Sequence, residues 1–477
     1  MMKSDTITAV ATGMTDSGIA IIRISGENAV QIVDRIYESK SGRSCFHEFA
    51  SHTIHYGYIV DKSDNQRNII DEVMVSLMKA PNSYTAEDTV EINCHGGILM
   101  TKRILETVIK NGARLAEPGE FTKRAFLNGR IDLSKAEAVM DIIHSKNKLA
   151  LKNSVNQLRG SVSDFIQKIR NDIIYEIAYI ESALDDPEHI SLEGYSEKLS
   201  IKTEDILQSL KKLMDSADNG KIIKEGIRTV ILGKPNVGKS SFLNLFTGEE
   251  KAIVTDIAGT TRDVLEESVY LNGIHLNVMD TAGIRQTRDK VEGIGVEKAR
   301  KYADEADIVL YVIDASVPLD ENDYDIMKMI SGKRFIILLN KTDLESCVTE
   351  DMIKHQLLLK TCSGFSMDTP EKYPVIKISV KENKGMDLLE KIINDMFFQG
   401  HISYDDEVII TNMRHKEAIM DAYESMLQVK KSIENDMPED FYSIDLMSSY
   451  ASLGKVTGEE VGEDLINEIF SKFCMGK

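Results

Sequence analysis

The chain has 477 residues, 42% of them apolar and 28% charged, the composition of a globular protein of about three domains. Its 57 Lys and Arg against 77 Asp and Glu give a net charge of −20, which argues against indiscriminate binding to nucleic acid. No apolar run reaches the roughly 18 residues of a membrane span, and the first residues lack an apolar h-region. Five scattered cysteines form neither a disulfide framework nor a Cys-x-x-Cys knuckle, so a reducing cytoplasm is the expected compartment.

In chain order, Ile19–Ile24, Val73–Met78 and Thr89–Asn93 read as strands, and Ile98 to Asn111 as a helix, so the first 128 residues predict an α/β domain. Ser134-Lys135-Ala136-Glu137 fits a capping box. Beyond it, apolar residues from Val155 to Leu184 recur at steps of three or four, which predicts one long helix with a buried stripe. A second helical stretch covers about 196–220. Residues 101–160 carry twelve Lys/Arg against six Asp/Glu, either a solvated helix surface or a face for a polyanion.

Residues 223–399 alternate strand and helix. Val269–Leu271 and Ile274–Val278 flank Asn272-Gly273, a hairpin turn signal. Thr229–Leu232, Ile308–Ile313, Phe335–Leu339 and Val375–Ile378 are buried-strand runs that predict a mainly parallel sheet covered on both faces. The tail from about 400 returns to helix. The expected fold class is thus α/β plus all-α. It comprises an N-terminal α/β domain over 1–128 and a discontinuous helical domain over 129–222 and 400–477. A Ras-like nucleotide-binding domain over 223–399 is inserted between the two helical parts.

Gly233-Lys234-Pro235-Asn236-Val237-Gly238-Lys239-Ser240 matches G-x-x-x-x-G-K-[ST] between a strand and a helix. Its backbone N–H groups, together with those of Ser241 at the helix start, suit phosphate oxygens. Lys239 suits the β- and γ-phosphates, and Ser240 suits Mg²⁺. Asp280-Thr281-Ala282-Gly283 can serve Mg²⁺ and a γ-phosphate. Asn340-Lys341-Thr342-Asp343 ends a strand, and a carboxylate at Asp343 can accept from guanine N1–H and N2–H₂, which adenine lacks. Ser379-Val380-Lys381 fits a base-contact loop. In this order the elements predict a GTPase.

The segment Thr255-Asp256-Ile257-Ala258-Gly259-Thr260-Thr261-Arg262-Asp263, the loop residue Asn236 and the ending Cys474-Met475-Gly476-Lys477 narrow the reading further. With residues 18–26 and 117–130 they resemble the MnmE (TrmE) family of tRNA-modification GTPases over nearly the whole chain. The resemblance implies a cytoplasmic homodimer that works with the flavoprotein MnmG in a heterotetramer, acts on tRNA and has no membrane attachment. It implies a K⁺-stimulated GTPase that installs (carboxymethyl)aminomethyl groups at carbon 5 of the wobble uridine, position 34. The one-carbon unit would come from a 5-formyl- or 5,10-methylene-tetrahydrofolate bound by the N-terminal domain, which also dimerises.

By the same resemblance Thr261 joins Ser240 on Mg²⁺. Asn236, Thr255, Ile257 and Thr260 hold K⁺, and Thr255 to Thr261 line the GTP site. Glu292 orients the attacking water, since Ile284 stands where Ras-type enzymes carry Gln. Arg23, Glu91, Arg130 and Lys477 match the folate positions. Cys474 is either a nucleophilic or redox thiol or a small packing residue. Met475 departs from the commoner Ile of the family tail. The alternative is a GTP-switched scaffold in ribosome or RNA assembly, since the switch segment recurs in such GTPases.

Overall fold

The computed structural model describes residues 5–40, 46–61, 67–247, 267–271, 274–279, 300–361, 374–398, 408–459, 461–474 and 476. The chain divides into two compact units: Met1–Ile143 with Ser154–Gln208 and Ala418–Lys477, and His144–Asn153 with Ser209–Glu417.

The first unit contains a seven-stranded sheet in the order β3-β4-β5-β6-β2-β1-β7. Its strands are β1 (Ile7–Val10), β2 (Ser17–Ser25), β3 (Tyr37–Ser39), β4 (Thr53–Asp61), β5 (Asn68–Met78), β6 (Thr89–Gly96) and β7 (Arg114–Leu115). All pairings are antiparallel except β1 with β7. Alternation decides which face is covered. Ile22, Ile24, Val75, Leu77, Val90 and Ile92 share a core with α1 (Ala29–Ile36) and α2 (Ile98–Lys110), while Arg23 and Glu91 point to the other face.

The long helix expected over Val155–Leu184 is instead divided between α5 (Lys148–Arg159) and α6 (Ser161–Asp185), which follow α3 (Glu120–Leu127) and α4 (Leu133–His144) and precede α7 (Tyr195–Glu225). Asp132, not Ser134, caps α4. Its carboxylate accepts the Lys135 N–H at 2.9 Å and the Ser134 hydroxyl at 2.6 Å, so a charged acceptor one position before the helix takes the role expected of a serine now inside it. Asn147 starts α5 by accepting from Ala150 N–H at 2.7 Å, and Gly160 with φ +112° separates α5 from α6. The apolar period from Val155 runs through Gly160, which is why it reads as continuous. The buried stripe of α6 is Val162, Ile166, Ile169, Ile173, Ile177 and Ile180, and Leu184 is exposed.

In the second unit the sheet order is β13-β12-β11-β8-β10-β9, from β8 (Ile227–Leu232), β9 (Glu267–Leu271), β10 (Ile274–Val278), β11 (Ile308–Asp314), β12 (Phe335–Asn340) and β13 (Val375–Lys377). Only the hairpin pair β9–β10 is antiparallel. Alternate residues of β11 and β12 serve two cores. Leu310, Val312, Ile336 and Leu338 face Phe242, Leu389 and Ile393, while Tyr311, Ile313, Ile337 and Leu339 face Met327, Ile330 and Ile353. This doubly covered parallel sheet bears out the α/β part of the expected fold class, and the helices bear out the all-α part. Among the described residues no helix is long and apolar enough to cross a membrane.

Candidate nucleotide and folate sites

β8 delivers the loop 233–238 at its carboxyl end, and α8 (Lys239–Thr247) leaves it, the arrangement in which backbone N–H groups converge on an anion. Asn236 lies at the exposed apex with φ +65°. Gly238 has φ +105°, and a Cβ there would stand 2.3 Å from Asn340 Nδ2, so only glycine fits. Lys239 Nζ donates to the carbonyls of Gly233 at 2.5 Å and Lys234 at 2.7 Å. Burial pushes the Lys239 ammonium down to about 8. Ser240 and Ser241 open α8, where their backbone N–H groups and the helix dipole face the loop.

Asn340 joins the loop to the segment at Val380. Its Nδ2 donates to the Val237 carbonyl at 2.8 Å, and its Oδ1 accepts from Val380 N–H at 3.2 Å. Asp343 Oδ1 accepts the Ser379 hydroxyl at 2.8 Å, which holds the exposed carboxyl below its ordinary range. Lys341, with φ +64°, donates to Asp314 Oδ2 at 2.5 Å. Burial alone would raise the Asp314 carboxyl, but the bonds from Lys341 and Ser316 outweigh it and lower it. Asp343, Ser379 and the loop 233–240 are therefore brought together at the carboxyl ends of parallel strands, where open α/β sheets bind their ligands. Thr255–Thr261, Asp280–Gly283 and Glu292 lie outside the described residues.

In the other unit the sheet pairs Arg23 directly opposite Glu91, and Arg23 Nε donates to Glu91 Oε1 at 2.8 Å. Arg23 NH1 also donates to the Gly476 carbonyl at 2.9 Å, so the tail reaches β2. Gly476 adopts φ +85°, with a Cβ position 2.4 Å from the Val10 carbonyl oxygen. Tyr84, which sequence reading passed over, stands between the arginines: the Arg23 guanidinium carbon is 5.4 Å from its ring centroid and that of Arg130 is 5.0 Å. Its hydroxyl pairs with Thr122 Oγ1 at 2.9 Å.

The neighbouring charges fix that loop. Arg124 donates to Glu87 at 3.0 Å and to Glu120 at 3.2 Å, and Ser25 donates to Glu87 at 2.8 Å. The Glu120–Arg124 spacing of i and i+4 was the one sequence signal for this network. Arg23, Glu91 and Arg130 thus cluster, with a carboxylate, two guanidinia and an aromatic ring able to meet a polar heterocycle with an anionic tail. Cys474 is exposed, and its carbonyl accepts from Gly119 N–H at 3.3 Å. Lys477 lies outside the described residues.

The family model described as "MnmE helical domain" matches residues 133–474, and that described as "GTP-binding protein TrmE N-terminus" matches residues 6–130. Relatives named tRNA modification GTPase MnmE include one from Lachnoclostridium phytofermentans, 56% identical over 476 residues. Others are from Acetivibrio thermocellus, 47% identical over 477 residues, and Clostridioides difficile, 46% identical over 481 residues. Each alignment covers 100% of this chain and 100% of the relative.

Proposed function

The chain belongs to the MnmE family, and from that premise we propose that it hydrolyses GTP in the service of tRNA modification. The observation that carries this reading is Asn340, whose side chain ties the phosphate loop at Val237 to the base segment at Val380. On this reading the bridge links a phosphate cradle at one end to a guanine-selective carboxylate, Asp343, at the other.

In this reading Lys239 exchanges its two carbonyl partners for phosphate oxygens. Ser240 with Thr261 would hold Mg²⁺, and Asn236 with the oxygens of Thr255, Ile257 and Thr260 would hold K⁺. The exposed amide of Asn236 at the loop apex suits such a ligand. When bound, the two cations neutralise charge that develops on the transferring phosphoryl group. Glu292 orients water. Asp280 and Gly283 attend the metal and the γ-phosphate.

At the N-terminal sheet, Glu91 offers a carboxylate oxygen to the amino-amide edge of a tetrahydrofolate. Arg130 and Lys477 suit the glutamate carboxylates, and Arg23 holds Glu91 while remaining near the ligand. Residues 1–128 then form the folate-binding and dimerising domain, 129–222 and 400–477 the helical domain, and 223–399 the GTPase domain. The wobble uridine of tRNA, the flavoprotein MnmG and a cytoplasmic homodimer complete the reading, with Cys474 beside the folate.

The test is GTP turnover by the purified chain in K⁺ against Na⁺ at equal ionic strength, with nucleoside analysis of tRNA from cells lacking it. Faster turnover in K⁺ and loss of the modified uridine are expected. Equal turnover in both salts would remove K⁺ from the reading, and intact tRNA modification would favour the scaffold alternative.

A further inference from the structure

Lys234 occupies an x position of the G-x-x-x-x-G-K-[ST] loop, and its side chain is taken up by two carboxylates. Its Nζ donates to Asp323 Oδ2 at 2.6 Å and to Asp320 Oδ2 at 2.9 Å. Asp323 is buried, and its other oxygen accepts the hydroxyl of Tyr311, itself buried in β11, at 2.8 Å. Asp320 and Asp323 form the capping box of α9 (Glu321–Ile330), so both carboxylates are held before Lys234 arrives. The same residue's carbonyl, with that of Gly233, receives Lys239 Nζ. One residue therefore anchors the loop to the core through its side chain and holds the phosphate-seeking lysine through its main chain.

We propose that Lys234 is a positioning residue for GTP hydrolysis, the side-chain brace that fixes the loop backbone on which Lys239 depends. The inference rests on the GTPase reading and deepens it. The Lys234 side chain is only 19% exposed and that of Asp323 only 2%, so the contact is sheltered from solvent on the carboxylate side, unlike a surface pair of little consequence. Without the brace, the peptide between residues 233 and 235 loses the side-chain tie of Lys234 to Asp320 and Asp323. Lys239 then starts from a mobile platform, and misplacement of such a group is felt in the rate.

The experiment uses the full chain and measures steady-state GTP hydrolysis and thermal unfolding together for Lys234→Met, Lys234→Arg, Asp323→Asn and the double variant Lys234→Met/Asp323→Asn. Lys234→Met is expected to lower kcat/KM by roughly tenfold, the scale of one charged hydrogen bond. Both kcat and KM should move, because Lys239 addresses the γ-phosphate where charge develops. Lys234→Arg, which keeps charge and donors, should recover activity to within about threefold. The double variant should be no slower than the slower single variant, as expected of groups acting as one unit.

Wild-type kinetics in a folded Lys234→Met protein would overturn the proposal. So would losses that multiply in the double variant, or an arginine variant as slow as the methionine one. Should Lys234→Met melt below the assay temperature, Asp320→Asn, which removes only the more exposed acceptor, must still slow hydrolysis, and its failure to do so would equally overturn the proposal. A wild-type chain that does not hydrolyse GTP would instead sink the GTPase reading itself.

Discussion

Arg23, on the second strand of the chain, donates to the carbonyl of Gly476, 453 positions later, at 2.9 Å. The guanidinium that braces Glu91 therefore also fastens the tail that carries Cys474. Substitution Gly476→Ala should separate these roles. A Cβ at φ +85° would press on the Val10 carbonyl, so the tail must move while Arg23 and Glu91 stay paired. Equilibrium dialysis with 5-formyl-tetrahydrofolate should then show affinity falling by roughly tenfold, with GTP turnover within about twofold of wild type. Unchanged folate affinity would detach the tail from the ligand site.

Asp343→Asn replaces an acceptor by a group that presents N–H to guanine N1–H. GTP affinity should fall by roughly a hundredfold, because the guanine N–H donors lose their carboxylate acceptor. Competition between guanine and xanthine nucleotides measures it directly. Retained preference for GTP would mean that the base is read elsewhere.

Burial pushes the Cys94 thiol up to about 11, with the nearby Asp71 adding to the shift. A raised thiol pKa leaves little thiolate at neutral pH. Alkylation of the native chain at pH 8 should therefore label Cys347 and Cys474, both exposed, well before Cys94. Peptide mass mapping over time checks the order, and rapid labelling of Cys94 would show that β6 opens.

His275, buried in the second unit, is held down to about 4, first by burial and then by the positive charge of Lys146. The unfolded chain takes up this proton near pH 6.5 and the folded chain only near pH 4, so stability falls as pH drops through that interval. The loss approaches about 3 kcal/mol at the acid end. His275→Gln should flatten that part of the stability profile relative to wild type in urea titrations at pH 7, 5.5 and 4.5. Parallel profiles would assign the acid sensitivity to other groups.

Features that depend on a few neighbouring residues were legible in the sequence. The runs at Ile19–Ile24, Ile308–Ile313 and Phe335–Leu339 declare strands because each is short, apolar and bounded by polar turns. The phosphate loop declares itself because its glycines, lysine and serine must be contiguous to wrap an anion. The break at Gly160 was hidden by an apolar period that continues through it, and the left-handed φ there reveals it. Tyr84 could not be read at all. Its place beside Arg23 and Arg130 depends on a loop held by Glu87 and Arg124, residues that no local pattern connects. Lys234 was hidden for the same reason, since its partners stand 86 and 89 positions away.

The single amide of Asn340 has a consequence for fidelity. Because one side chain spans from Val237 to Val380, on the proposed reading recognition at the purine end and grip at the triphosphate end are mechanically one event. On that reading, a nucleotide that sits badly against Ser379 and Asp343 would strain the very turn that must cradle its phosphoryl groups. Errors of selection are thereby converted into errors of alignment, and the wrong nucleotide is penalised at the bond to be broken as well as at the base.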